Sequence, residues 1–181
     1  MELSSGGVRL KTGQALIIRQ AETTDAQEML DYLNAVGGES DNLLFGENEF
    51  RLTVEQEEQF IEKCRQSQTS ALFVGRIEGE LVCVGSVLSP ERARIAHNAD
   101  VAISVRKQHW GLGIGSHLMD AMIAFAKGTN TLEVLHLGVR EDNRRAIALY
   151  EKNGFQEIGC YPKYLRVGAE YHDNVLMNLY L

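Results

Sequence analysis

Cysteine is scarce in this chain: Cys64, Cys83 and Cys160 are the three, widely spaced and with no C-x-x-C pair. That pattern excludes a disulfide framework and the paired thiolates of a zinc site, and it fits a reducing, cytoplasmic compartment. Their neighbours suggest small buried hydrophobes rather than nucleophiles. No apolar run approaches the ~20 residues needed to span a bilayer, so no membrane role is expected. Met1 to Gly13 lacks the apolar core of a signal peptide and, with residue 14, reads as a disordered lead-in. Basic side chains are in deficit, 18 Lys plus Arg against 25 Asp plus Glu, for a formal net charge of −7. That disfavours non-specific nucleic-acid binding and mildly suits a cationic acceptor such as an amine. Repeats and low-complexity linkers are also missing, so residues 15–181 read as one domain.

What is present alternates between strand and helix patterns. Ala15 to Arg19 reads as a strand, and Thr24-Asp25 as an N-cap for a helix with Met29, Leu30, Leu33 and Val36 on its apolar stripe. Residues 39–51 are polar and irregular, with Leu43, Leu44, Phe45 and Phe50 embedded. Thr53-Val54-Glu55-Gln56 is a capping box opening a second helix, Val54 to Arg65. Ser70 to Arg76 and Leu81 to Leu88 flank Glu78-Gly79 as a hairpin, and Arg94 to Val105 gives a third strand region. Then follow a helix from Ser116 to Lys127, a strand from Leu132 to Val139, a helix from Asn143 to Lys152, and two final strands turning at Gly168. This order predicts an α/β domain with a mixed twisted sheet of about seven strands and about four helices, containing one right-handed parallel crossover.

The crossover begins at Gln108-His109-Trp110-Gly111-Leu112-Gly113-Ile114-Gly115-Ser116. Glycines on alternate positions remove side chains where a strand turns into a helix. The exposed N–H groups and the helix dipole then suit a diphosphate. A nucleoside-triphosphate loop would need Gly-x-x-x-x-Gly-Lys-Ser/Thr, and no such lysine follows. A dinucleotide fingerprint would need a third glycine where Ser116 stands, near the start of a βαβ unit. The pattern that fits is Gln/Arg-x-x-Gly-x-Gly/Ala, carried by Gln108, Gly111 and Gly113.

A second and more specific block follows at Asn143-x-x-Ala146-Ile147-x-Leu149-Tyr150-Glu151-x-x-Gly154-Phe155. The two motifs, in this order and on these elements, resemble the GNAT superfamily of N-acetyltransferases. The tail, Gly159 to Met177 with Gly168-x-x-Tyr171-x-Asp173, resembles members that act on small amines, amino acids or antibiotic-like compounds. The resemblance implies a single-domain fold with splayed central parallel strands and acetyl-CoA as cofactor. It further implies direct acetyl transfer to a primary amine of a small molecule in a ternary complex, without a metal. A peptide acceptor and a non-catalytic acyl-CoA-binding module remain alternatives. A homodimer is compatible, with an edge strand near Tyr171 to Leu181 as a possible interface.

Residue by residue, the resemblance assigns the diphosphate to the N–H groups of Gly111, Leu112, Gly113, Ile114, Gly115 and Ser116, with Gln108 in place of the commoner Arg. Arg106, Lys107, Arg144 or Arg145 would supply charge near the phosphates. A bulge in the strand of Ile103, Ser104 and Val105 would splay it from the next strand, admit the pantetheine arm and aim the Ile103 N–H at the acetyl carbonyl. Asn143 would bond the pantetheine region, Ala146 would let it lie close, and Tyr150 would protonate the leaving thiolate. A glutamate base typical of protein N-terminal acetyltransferases is absent, because Gly138 stands there. Asp100, His97, Glu47 and His136 are the replacement candidates, Asp100 first among them.

Overall fold

The structure, a computed structural model, describes residues 7–181. Its strands are β1 (Val8–Arg9), β2 (Ala15–Gln20), β3 (Ala71–Ile77), β4 (Glu80–Leu88), β5 (Asn98–Val105), β6 (Val134–Arg140), β7 (Gln156–Val167) and β8 (Glu170–Tyr180). Four α-helices accompany them: α1 (Ala26–Gly37), α2 (Val54–Gln66), α3 (Ile114–Gly128) and α4 (Arg144–Lys152). The sheet has eight strands in the order β1-β2-β3-β4-β5-β6-β8-β7, one more than the pattern predicts. The addition is β1, whose Val8 and Arg9 pair with Leu16 and Ala15. It lies within the expected lead-in, and Leu10 beside it is buried, so residues 7–14 join the fold. Residues 1–6 of that lead-in lie outside the described residues.

All strand pairs are antiparallel except β5 with β6. That exception is the crossover through α3, which strand twist and helix packing favour in right-handed form. Alternation of side chains divides the core into two layers. On the front face, Ile114, Leu118, Met119 and Met122 of α3 and Tyr150 of α4 meet Val101, Leu135, Leu137 and Val139. On the back face, Met29, Tyr32 and Val36 of α1 and Ile61 and Cys64 of α2 cover Leu72, Val74 and Val84.

Two features differ from the sequence-based expectation. The strand from Tyr171 to Leu181 is no edge: β8 lies between β6 and β7, and β7 is the exposed border. The reason is that the last hairpin inserts its second strand, not its first, against β6. Cys64 and Cys83 are buried, but Cys160 sits on that bordering strand and is exposed.

Asp25 stands at the N-cap position of α1, but its side chain makes no bond to that helix and instead completes a capping box with Glu22 on the preceding turn. It follows Thr24 in a short 3₁₀ turn and is buried beneath two guanidinium groups. Arg19 donates twice to its carboxylate (2.6 and 2.8 Å), Arg76 once (3.0 Å), and the Glu22 N–H once (2.8 Å). These bonds tie the start of α1 to β2 and β3, which sets the line along which α1 crosses the back face. Burial alone would raise the carboxyl pKa, but Arg19, Glu22 N–H and Arg76 outweigh it and hold it at about 2. A depressed carboxyl pKa stabilises the fold above the unfolded value and loses that contribution as pH falls through the folded value. Replacement of Asp25 by Ala is therefore expected to cost about 2 kcal/mol at neutral pH. Urea unfolding at pH 7 and in steps from pH 4 towards 2 should show the gap to wild type closing in the acid range.

Candidate active site

The site begins where β5 and β6 stop pairing. Their register is Asn98↔Val134, Ala99↔Leu135 and Asp100↔His136, and it ends there. Beyond it, β5 stays bonded to β4 through Cys83↔Val105, and β6 stays bonded to β8 through Arg140↔Asn174. Each strand is thus fixed along its outer edge while its inner edge has no strand partner. The expected bulge is not what splays them, since the β4–β5 register runs unbroken from Leu88↔Asp100 to Cys83↔Val105. Strand twist opens the fork once each strand follows its own antiparallel neighbour.

Continuing the register across the fork sets Ala102 against Gly138 and Ser104 against Arg140 on the back face. Ala102 and Gly138 are exposed, unusual for the middle of central strands, because the gap lies open there. Asp100 and His136 form the last closed rung, at the fork's base. His136 is half-buried and its Nδ1 lies 2.7 Å from Asn178 Oδ1. His97 stands before β5, and Glu47 lies on the α1–α2 segment against Gly38, so neither joins that rung.

At the front of the fork lies the glycine turn. Gly111 (φ 84°) and Gly113 (φ 86°) adopt the left-handed conformation that glycine accepts at no steric cost. Gly113 is the N-cap of α3, and its carbonyl accepts from the N–H groups of Ser116 (3.0 Å) and His117 (3.2 Å). The Ser116 N–H is therefore engaged within the helix. Those of Gly111, Leu112, Gly113, Ile114 and Gly115 have no backbone acceptor among the described residues. They sit at the positive end of a 15-residue helix, an arrangement that attracts anions. Gly115 has a different role: a methyl there would press on Leu149 of α4 at 3.2 Å, so its absence lets the two helices meet.

Arg145 supplies a charge beside this turn. Its guanidinium lies 5.1 Å from the Trp110 ring centroid, and a Cβ at Gly111 would be 3.6 Å from its Nη2. Trp110 in turn donates to the Val105 carbonyl (2.8 Å), which fixes the ring against the end of β5. Gln108 is turned elsewhere, with Nε2 3.0 Å from Glu80 Oε1. Arg106 is paired with Glu39. Asn143 caps α4, its Oδ1 accepting from the Ala146 N–H (3.2 Å), which leaves its amide N–H groups for another partner. Half-buried Ala146 packs on the same core as Tyr150. Tyr150 is buried against Phe155, with ring centroids 5.8 Å apart, and burial pushes its phenol up to about 12.

Behind the fork, Tyr32 of α1 donates to Ser104 Oγ (3.2 Å), so the Ser104 side chain serves the back face. The segment after α1 then bridges the opening. Glu39 accepts from the Lys107 N–H at the end of β5 (2.6 Å), and the Asp41 carbonyl accepts from Arg140 at the end of β6 (3.1 Å). A cavity of about 470 Å³ lies beside this bridge, bounded by Asp41, Leu43, Phe45, Glu49, Tyr164 and Arg166. Glu141, Asp142 and His172 bring ligand atoms within 4.8 Å of one another nearby, but Arg140 holds Asp142.

A glycine turn with open N–H groups, a forked parallel strand pair and a bridge across the strand ends thus occur together, and residues 40–155 match the family described as "Acetyltransferase (GNAT) family". The chain belongs to that family. Its members use acetyl-CoA. The solved structure of the acetyltransferase of GNAT family from Streptococcus pneumoniae is similar, with 30% identity, a TM-score of 0.89, and 92% of this chain and 99% of that one covered. Over 105 residues the chain is 32% identical to the L-amino acid N-acetyltransferase AaaT of Escherichia coli (strain K12), covering 58% of this chain and 65% of that protein. Over 67 residues it is 42% identical to the N-alpha-acetyltransferase RimI of Mycobacterium tuberculosis (strain ATCC 25618 / H37Rv), covering 37% and 40%. The match thus spans under two thirds of either curated relative.

Sequence reasoning missed the Glu39–Asp41 bridge, the Tyr32–Ser104 bond and Asn174, which covers Gly138 from β8. Long-range register alone brings these groups to the fork. The glycine turn is directly testable. An Ala at position 113 would have to adopt a left-handed φ, costing about 1–2 kcal/mol. In titration calorimetry, Gly113→Ala should weaken acetyl-CoA binding roughly tenfold if that strain is relieved by moving the N–H groups.

Proposed function

We propose that this protein is an acetyl-CoA-dependent N-acetyltransferase acting on the primary amine of a small molecule in a reducing, cytoplasmic compartment. The observation that carries the reading is the bridged end of the fork: Glu39 and Asp41 join the two strand ends across the opening. A peptide laid along the sheet would have to cross this bridge, and beside it lies a partly open pocket of about 470 Å³. That volume is within the range of small-molecule sites. The resemblance to AaaT, an L-amino acid N-acetyltransferase, points the same way. The resemblance to RimI favours a protein N-terminus instead, but Gly138 offers no side chain as a base.

The residues present fit the cofactor. Open N–H groups from Gly111 to Gly115 suit the diphosphate, Arg145 adds positive charge, and the unpaired inner edge of β5 from Val101 to Val105 suits an amide-bearing arm laid as an extra strand. Acetyl-CoA supplies the acyl group as a thioester. The amine nitrogen attacks the carbonyl carbon, the new C–N bond forms and the C–S bond breaks. Tyr150 would give its phenolic proton to the departing sulfur and regain one from water, and the amine would lose its proton to water or to a group at the fork's base such as Asp100. An N–H on the inner edge of β5, with Ile103 the candidate, stabilises the developing oxyanion.

Thiol release measured over a panel of amino acids, polyamines and short peptides tests the assignment. Turnover of small amines well above peptides supports it, and turnover of peptides alone would overturn it. With a true substrate, Tyr150→Phe should lower kcat about 10²-fold while acetyl-CoA binding is retained. Because burial keeps the phenol protonated, kcat of the wild type should show no loss attributable to this group up to about pH 10. An alkaline loss centred near neutrality that disappears in Tyr150→Phe would contradict the role.

A further inference from the structure

Three polar side chains are buried in the described residues: Asp25, Glu57 and Asn174. Asp25 is fully bonded. Asn174 is only 6% exposed, and its amide makes no side-chain hydrogen bond among the described residues, yet it is not sealed from solvent. A largely covered amide that still reaches solvent and has no partner in the protein is free to bond a ligand. Asn174 lies on β8 opposite Arg140, and its side chain leans back across β6 over Gly138. A Cβ at position 138 would overlap its Nδ2 and come within 3.0 Å of its Cγ and Oδ1. Glycine at 138 is thus the condition for the Asn174 amide to reach this place.

The place is the first open rung on the back face of the fork. Gly138 and Ala102 would face each other there, both are exposed, and neither offers a polar side chain. Apart from Asp100, the neighbouring polar groups are already committed: His136 to Asn178, Ser104 to Tyr32, Arg140 to Asp142 and Asp41. Asn174 is the uncommitted amide on the back wall between them. An amide carries a carbonyl acceptor and two N–H donors and does not titrate at ordinary pH.

We infer that Asn174 orients the acceptor: its amide oxygen accepts a hydrogen bond from the attacking amine and turns the nitrogen lone pair towards the acyl carbon. The inference rests on the acetyl-transfer reading. It assigns Asn174 no proton transfer, so the amine proton must still leave by another route. It also gives Gly138 a purpose, since the missing side chain clears space for a group from the next strand.

The test uses the full-length protein and whichever amine the wild type acetylates. Asn174→Ala should lower kcat/KM for the amine about 10²-fold while the Kd for acetyl-CoA, measured by calorimetry, stays within twofold. Asn174→Asp keeps an acceptor oxygen in the same shape and should recover much of the loss at pH 8. Gly138→Ala, which displaces the amide without removing it, should reproduce the Ala phenotype from the other side. Thermal unfolding of each variant separates a folding defect from a local one. If Asn174→Ala does not fold, Gly138→Ala and Asn174→Asp still decide the question. Unchanged amine kinetics in Asn174→Ala, an equal loss of acetyl-CoA affinity, or an Asp variant no better than Ala would overturn the role of Asn174 and leave the transfer reading standing. Failure of the wild type to acetylate any amine, with acetyl-CoA binding intact, would overturn both.

Discussion

The proposed function depends on one break in hydrogen bonding, the end of the β5–β6 ladder after Asp100 and His136. Backbone N–H and C=O groups inside a sheet are normally paired, and leaving several without a strand partner in the centre is unfavourable. The fold tolerates the break because both strands are held on their outer edges by β4 and β8. The unpaired inner edges are a ready template for an extended ligand, in the way an outer sheet edge accepts an added strand.

In the proposed reading the fork also separates two tasks between two faces. On the front, α3 and α4 bring the glycine turn, Arg145, Asn143 and Tyr150 to one side of the gap. On the back, α1 and the segment after it bring Tyr32, Glu39 and Asp41 to the other. A cofactor held from the front and an acceptor admitted from the back would meet between the strands. The ion cluster at Asp25 belongs to this scheme, because it anchors the helix whose far end supplies the bridge. The glycines divide similarly: Gly111 and Gly113 shape the turn, Gly115 lets α3 and α4 touch, and Gly138 makes room for Asn174.

Local chemistry was legible in the sequence. The glycine turn, the Thr53 capping box, the Asn143 cap and the α/β alternation each depend on neighbours in the chain, and they fall where the residues imply. Non-local register was not legible. The insertion of β8 between β6 and β7, the short strand at Val8–Arg9, and the crossing of Asn174 over Gly138 arise from pairings between distant segments. Gly138 read only as a missing base because its neighbour on β8 is 36 positions away in the chain (174 − 138). Asp25 read as a helix cap because its two arginine partners, at 19 and 76, are brought to it by tertiary folding.

Amide hydrogen exchange along β5, with and without acetyl-CoA, tests the central claim most directly. The amides of Val101 to Val105 that face away from β4 have no strand partner to slow them, and the account predicts that they exchange rapidly in the free protein and become strongly protected on cofactor binding. Saturating acetyl-CoA that leaves those amides unprotected, while protecting sites elsewhere, would show that the fork is not where the cofactor lies.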